Sequence, residues 1–337
     1  MAAQNPPRRP TIDDVAAESG VSRGTVSRAI NGGKWVSPEA QRAVDAAIKK
    51  TGYRPNVLAR GLKMRRSGSV AFLLSEPVQR LFTDPNFATL MSETSDQLAA
   101  QDTSMVILLA ATDQERDRTL DFISTGQIDG VILVSWHGDS SMLKRIQRAG
   151  IPAIFCGVPG PSHRDLSYVA CDEYDGGLQM TEYLRGRGHR SIALITGPDD
   201  AYGSQRREAA FVDAMGSDYD PSLRRGGDWS RRSGTVAMNS LLDEAGTIDA
   251  VFAANDLMAA GAIEAIRSRG LSVPGDIAVG GFDDSEAAVQ STPELTTMHQ
   301  PFAQIAQEMV RLLLARIDGG PSVQMTLRTT LVVRDSA

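Results

Sequence analysis

The chain has 337 residues, 42% hydrophobic and 23% charged, with a net charge of −6. That composition fits a globular protein of two or three domains and excludes a disordered or fibrous chain. No run of about 18 apolar residues suggests a membrane span, and "MAAQNPPRRP" lacks the apolar core of a secretion signal, so a cytoplasmic location is expected. The charge is unevenly placed. Residues 1–66 hold 13 Lys/Arg against 5 Asp/Glu, and residues 67–337 hold 22 against 36. A head of +8 on a body of −14 points to a polyanion-binding module joined to something else.

In chain order, Thr11 precedes "IDDVAAES" with Asp14 three residues on, a capping-box pattern in which Asp replaces Glu. Gly20 ends that helix. Ser22 caps the next, "RGTVSRAI", which stops at Asn31-Gly32. Two short helices joined by a tight turn predict a helix-turn-helix. Val26, Ala29 and Ile30 face inward, and Arg23, Gly24, Ser27 and Arg28 face out. Arginine can bond guanine O6 and N7 together in the major groove, and a glycine at position 24 lets the backbone come close. Ser37, Pro38 and Gly52 bound a third helix, packed through Val44, Ala47 and Ile48. Pro55-Asn56 opens a fourth, marginal one, weakened by Gly61.

"TIDDVAAESGVSRGTVSRAING", "VSPEAQRAVDAAIKKTGYRPN" and "LARGL", in that order, resemble the DNA-binding headpiece of the lactose-repressor/galactose-repressor (LacI/GalR) family. The resemblance implies DNA contacts from Thr11, Ser22, Arg23, Gly24, Thr25, Ser27, Arg28, Asn31, Tyr53, Asn56, Ala59, Arg60 and Leu62. Arg23 and Gly24 fall at the base-discriminating positions. Leu62 matches the leucine that wedges into the central base step of a palindrome and bends it. On residues alone, a core contact with the following domain is the alternative for Leu62.

From residue 70, apolar runs ("VAFLL", "MVILL", "GVILV", "AIFCG", "SIALITG", "AVFAAN", "IAVGGFD") alternate with helical stretches, which predicts parallel sheets in two doubly wound lobes. Ligands bind such folds beyond the carboxyl ends of the strands. Cys156 and Cys171 lie in strand-like runs and are expected to be reduced thiols. His137, His163, His189 and His299 are scattered. There is no phosphate loop, nucleophile elbow or metal spacing, so no enzyme activity, cofactor or metal is expected. Asp283 and Asp284 are adjacent and face opposite ways on a strand, which makes them a poor acid–base pair.

Polar and aromatic residues do follow the strands. Phe82, Asp84 and Phe87 lie in "LFTDPNF", Arg207 in "SQRREAAF", Trp229 in "GGDWS", Asn255 after "VFAA" and Asp283 after "VGGF". Planar groups on hydroxyls beside an aromatic face suit a sugar. Read singly, each favours a structural role: Trp229 as core, Asn255 or Asp256 as a helix cap. The resemblance runs on to "TLVVRDSA" and implies a body similar to periplasmic sugar-binding proteins. It carries Arg207, Trp229, Asn255, Asp283 and Gln300 (in "MHQPF") as effector-binding residues. Gly157 stands where the lactose repressor has an acid, which argues against a galactoside. "LFTDPNF" also differs and suits a larger saccharide.

The fold class expected is α/β: an all-α helix-turn-helix headpiece plus a periplasmic-binding-protein-like effector domain. Residues 1–9 read as a disordered arm, 10–54 as the headpiece, 55–66 as a hinge helix and 67–337 as the effector and dimerisation domain. Its N-lobe spans about 70–168 and 300–325, and its C-lobe about 169–298 and 326–337. The function expected is a homodimeric repressor of carbohydrate genes, bound to a palindromic operator and answering a small saccharide. A non-sugar effector such as a purine is the alternative on the same scaffold.

Overall fold

The computed structural model describes residues 10–30, 35–53, 66–135, 140–159, 166–244 and 246–337. They form two compact units, 1–67 and 68–337. The hinge segment, with Asn56, Ala59, Arg60 and Leu62, and Asn31 of the headpiece lie outside the described residues.

In the first unit, α1 (Ile12–Ser19), α2 (Arg23–Ile30) and α3 (Pro38–Thr51) form where the cap residues direct. Thr11 N and Oγ1 donate to Asp14 Oδ2 at 2.6 and 2.7 Å. Thr25 N donates to Ser22 Oγ at 3.1 Å, and Ala40 N to Ser37 Oγ at 3.2 Å. Gly20 and Gly52 take φ of +68° at the helix ends, where a side chain is strained. Val15, Val26, Ala29, Val44 and Ala47 make a small core, flanked by Ile30, Ile48 and Tyr53.

The second unit has two six-stranded sheets. The N-lobe sheet contains β1 (Ser69–Leu74), β2 (Ser104–Leu109), β3 (Gly130–Val134), β4 (Ala153–Cys156), β5 (Ser167–Cys171) and β11 (Gln324–Leu327), in the order β11-β5-β4-β3-β1-β2. Its neighbours pair in parallel. The C-lobe sheet contains β6 (Ile192–Thr196), β7 (Arg224–Gly226), β8 (Ala250–Ala253), β9 (Ala278–Asp283), β10 (Thr296–His299) and β12 (Thr330–Val332), in the order β12-β10-β9-β8-β6-β7. There only β12 runs antiparallel, against β10. β1, β3, β6 and β8 are buried almost throughout, so they read as unbroken apolar runs rather than alternating ones.

The N-lobe helices are α4 (Val78–Thr83), α5 (Pro85–Ala99), α6 (Asp113–Phe122), α7 (Ser140–Arg148) and α13 (Phe302–Ile317). The C-lobe helices are α8 (Glu173–Gly186), α9 (Tyr202–Met215), α10 (Arg231–Glu244), α11 (Asp256–Ser268) and α12 (Glu286–Gln290). The chain passes between the lobes after β5, after β10 and between β11 and β12. β5 runs to Cys171 and β11 to Leu327, so the N-lobe extends past the boundaries expected near 168 and 325: each strand completes its sheet before the chain leaves. Among the described residues no helix is long and apolar enough to cross a membrane.

α10 and α11 pack backbone to backbone. A Cβ on Gly261 would lie 2.0 Å from the Arg231 carbonyl oxygen, and one on Gly234 would lie 2.2 Å from that of Met258. Neither oxygen can swing aside as a side chain could. Gly261→Ala is therefore expected to cost about 3 kcal/mol, the upper end for overpacking, despite a helix-propensity gain of about 1 kcal/mol. Urea unfolding checks this, and unchanged stability would contradict the packing described.

Candidate functional site

In the headpiece, α2 has a buried face and an exposed one. Val26 and Ala29 turn α2 inward, at 0% and 7% exposure. Arg23, Gly24 and Arg28 are exposed on the other side, with Thr25 and Ser27 half-buried. Arg28 Nε donates to the Gly24 carbonyl at 3.2 Å, which lays its guanidinium along the helix. Arg23 sits 3.5 Å from Asp13 with both side chains largely in solvent, a contact worth little and easily exchanged. A Cβ on Gly24 would meet nothing nearer than Ser22 Oγ at 3.8 Å, so packing within the headpiece does not require glycine there. Tyr53 packs its ring on the small core, and Thr11 spends its side chain on the α1 cap.

In the body, a cavity of about 230 Å³ lies between the lobes. Strand carboxyl ends and helix starts converge there because both sheets are parallel. The N-lobe contributes Arg80, Asp84, Asn86, Phe87, Cys156 and Gly157, and the C-lobe contributes Glu173, Tyr202, Arg207, Trp229, Asn255 and Asp283. Gln300 enters from the crossing that follows β10.

Arg207 is the buried hub, at 5% exposure. Its Nε donates to Glu173 Oε2 at 2.7 Å and its Nη1 donates to the Ala254 carbonyl. Asp283 Oδ1 is 3.9 Å away. The guanidinium stacks 3.6 Å from the Phe282 ring centre and lies 5.6 Å from that of Trp229. Burial opposes its charge, and the Glu173 and Asp283 charges more than restore it, holding its pKa above the usual value.

Asp283 accepts from Gln300 Nε2 and from Asn86 Nδ2, both at 2.6 Å. The second bond links the lobes. Burial pushes its carboxyl well above the usual range, against the pull of Arg207. Asp283 and Asp284 take φ of +121° and +58°, a strained pair of positions for residues with a Cβ. Neighbours hold them there. Ser285 N donates to Asp256 Oδ2 at 2.7 Å, and Arg334 Nη2 donates to Asp284 Oδ1 at 2.5 Å. The two carboxylates thus point into different surroundings, Asp283 to the cavity and Asp284 to Arg334 and His299.

Asn255 lines the cavity but is committed to structure. Its Oδ1 caps α11 by accepting from Met258 N at 3.0 Å, and its Nδ2 donates to the Trp229 carbonyl at 3.0 Å. It fixes Trp229, itself at φ +72°, with the ring against Gly197. Asp84 caps α5 and, like Phe87, reaches the cavity.

Phe82 does not join them. α4 puts Leu81 in the core and Arg80 at the cavity, which leaves Phe82 82% exposed beside a separate groove with Thr83, Ser230 and Leu257. Both cysteines are free; Cys171 is buried and Cys156 half-buried. Burial raises both thiols, Cys156 to about 12, and Cys171 Sγ donates to Gln300 Oε1 at 3.0 Å. Arg80, Asn86, Glu173 and Tyr202 escaped the sequence reading. Only Glu173 carried a local signal, as an acid in the first turn after Asp172, the α8 cap.

Residues 11–56 match the bacterial regulatory proteins of the lacI family, and residues 181–337 match the periplasmic binding protein-like domain. The chain is 41% identical over 335 residues to the HTH-type transcriptional regulator CelR of Thermobifida fusca, covering 98% of both. Among solved structures, the transcriptional regulator CelR–cellobiose complex superposes with a TM-score of 0.78 at 39% identity, over 98% of this chain and 100% of that one. The lac repressor dimer bound to operator and the anti-inducer ONPF superposes with a TM-score of 0.88 at 28% identity, over 98% and 99%. With a helix-turn-helix head and a two-lobed, periplasmic-binding-protein-like body, the chain belongs to the lacI family of bacterial regulatory proteins.

Proposed function

We propose that this protein is a cytoplasmic, homodimeric repressor of carbohydrate uptake or utilisation genes, and that a small neutral saccharide in the interlobe cavity lowers its affinity for a palindromic operator. The observation that carries the effector class is the charge state of the cavity. Both arginines lining it are already ion-paired, Arg207 with Glu173 and Arg80 with Glu76. Among the described residues, an anionic or phosphorylated ligand gains no uncommitted cation there. The cavity offers instead a buried carboxylate, carboxamides and the Trp229 ring, which suit hydroxyl groups and the C–H face of a pyranose. The similarity to a regulator solved with cellobiose makes a glucose disaccharide the first candidate. By linkage, operator DNA must lower saccharide affinity by the same factor.

Titration calorimetry with mono- and disaccharides and with purine bases tests the effector class. A saccharide is expected to bind. Binding of a purine alone would overturn this reading in favour of the other effector. On the DNA side, Arg23→Ala is expected to cost about 1–3 kcal/mol at one operator position and relax base preference there. Equal weakening on every sequence would assign Arg23 to phosphate.

A further inference from the structure

The cavity has a second polar locus, apart from the Asp283 bonds. α4 and the start of α5 set Arg80 and Asp84 one helical turn apart on the N-lobe wall. Arg80 is anchored on one side. Its Nη1 donates to Glu76 Oε1 at 2.6 Å, an oxygen that also accepts from Ser135 Oγ at 2.5 Å. Its guanidinium carbon lies 5.6 Å from the Phe87 ring centre. The other terminal nitrogen, Nη2, stands 3.7 Å from Asp84 Oδ2, close enough for attraction but too far for a hydrogen bond. Asp84 uses Oδ1 to accept from Asn86 N at 3.1 Å. Burial pushes its carboxyl above the ordinary range, against the Asn86 bond and the pull of Arg80.

A donor and an acceptor held just beyond bonding distance, both lining a cavity, suit a hydroxyl group. Its hydrogen goes to Asp84 Oδ2, and its lone pair accepts from Arg80. With Glu76 the locus holds one cation against two carboxylates, so it favours a hydroxyl over a phosphate. Across the cleft, the charge of Arg80 also reaches Asp228, the residue before Trp229. Burial raises the Asp228 carboxyl, but bonds from Ser230 and Ser233 with the Arg80 charge hold it below the usual range.

We propose that Arg80 and Asp84 form a hydroxyl subsite for the second ring of a disaccharide, so that the protein selects a disaccharide over its constituent monosaccharide. This rests on the saccharide reading above. One ring occupies the Asp283, Gln300 and Arg207 end, and the other is read by the split pair. Arg80 is then a specificity determinant that the sequence pattern alone did not single out.

The test is titration calorimetry of the full chain with cellobiose and with glucose, for the unaltered protein, Arg80→Met and Asp84→Asn. Asparagine keeps an oxygen for the α5 cap, so that variant retains the local fold, and a thermal midpoint checks it. The unaltered protein is expected to favour cellobiose. Each variant is expected to lose cellobiose affinity by about 10- to 100-fold, the range for hydrogen bonds to charged groups, and to lose less for glucose. The cellobiose-to-glucose ratio therefore collapses. A folded variant pair that keeps the ratio overturns the subsite while leaving the saccharide reading intact. An unaltered protein that binds neither sugar overturns both.

Discussion

Arg207→Leu is expected to destabilise the second unit by about 3–5 kcal/mol. Removing one member of a buried ion pair leaves its partners charged and unpaired. Here the partners are Glu173 and Asp283, with side chains 16% and 5% exposed. The Ala254 carbonyl also loses its donor. Arg207→Lys is expected to recover part of the loss, since an ammonium keeps the charge but cannot make the two-directional fork or the stack on Phe282. At roughly 2–4 °C per kcal/mol for a unit of about this size, the leucine variant should melt about 6–20 °C lower. Scanning calorimetry decides it. A midpoint within a degree of the unaltered protein would mean that Glu173 and Asp283 do not depend on Arg207.

Asp283→Ala is expected to abolish the saccharide response and leave operator binding in place. The carboxylate's bonds come from the side-chain amides of Gln300 and Asn86, which a ligand can replace with hydroxyls. Two hydrogen bonds to a charged acceptor, at about 1.5–3 kcal/mol each, amount to a loss of roughly 10²- to 10⁴-fold in saccharide affinity. The same residue sets a pH dependence. Burial raises its pKa in the ligand-free protein, and acceptance of hydroxyl hydrogens on both oxygens requires the ionised form. Binding is then coupled to proton release. Affinity should fall as pH is lowered, beginning at a higher pH than an ordinary aspartate near 3.8 would give. Calorimetry across a pH series reads this, and affinity independent of pH down to that value would remove Asp283 from the binding step.

The headpiece was legible because its determinants are local. Thr11 with Asp14, Ser22 with Thr25 and Ser37 with Ala40 each act across three residues, and Gly20 and Gly52 end their helices directly. Seven parallel strands, β1 to β4, β6, β8 and β9, were legible as apolar runs, β5 only through the strand-like surroundings of Cys171, and β10 and β11 not at all. The short strands β7 and β12 were not, because three residues at a sheet edge carry no period. In the cavity, Arg207, Trp229, Asp283 and Gln300 came together as expected. The Arg207–Glu173 pair spans 34 residues and the Asn86–Asp283 bond spans 197, so no local pattern announces either. From its position after β8 Asn255 favoured a helix cap over a ligand group, and its bond from Met258 N makes that cap. Phe82 stands outside that cavity because the rotation of a six-residue helix is set by which neighbour, Leu81, finds the core.

The central claim is that one chain reads DNA with its basic head and answers a saccharide with its acidic body. Fluorescence anisotropy on DNA selected from a random pool, with and without cellobiose and a panel of other mono- and disaccharides, tests both halves together. The account predicts enrichment of a palindrome and a drop in its affinity with one saccharide. Enrichment of a palindrome that no saccharide weakens, or no enrichment at moderate salt, would contradict it.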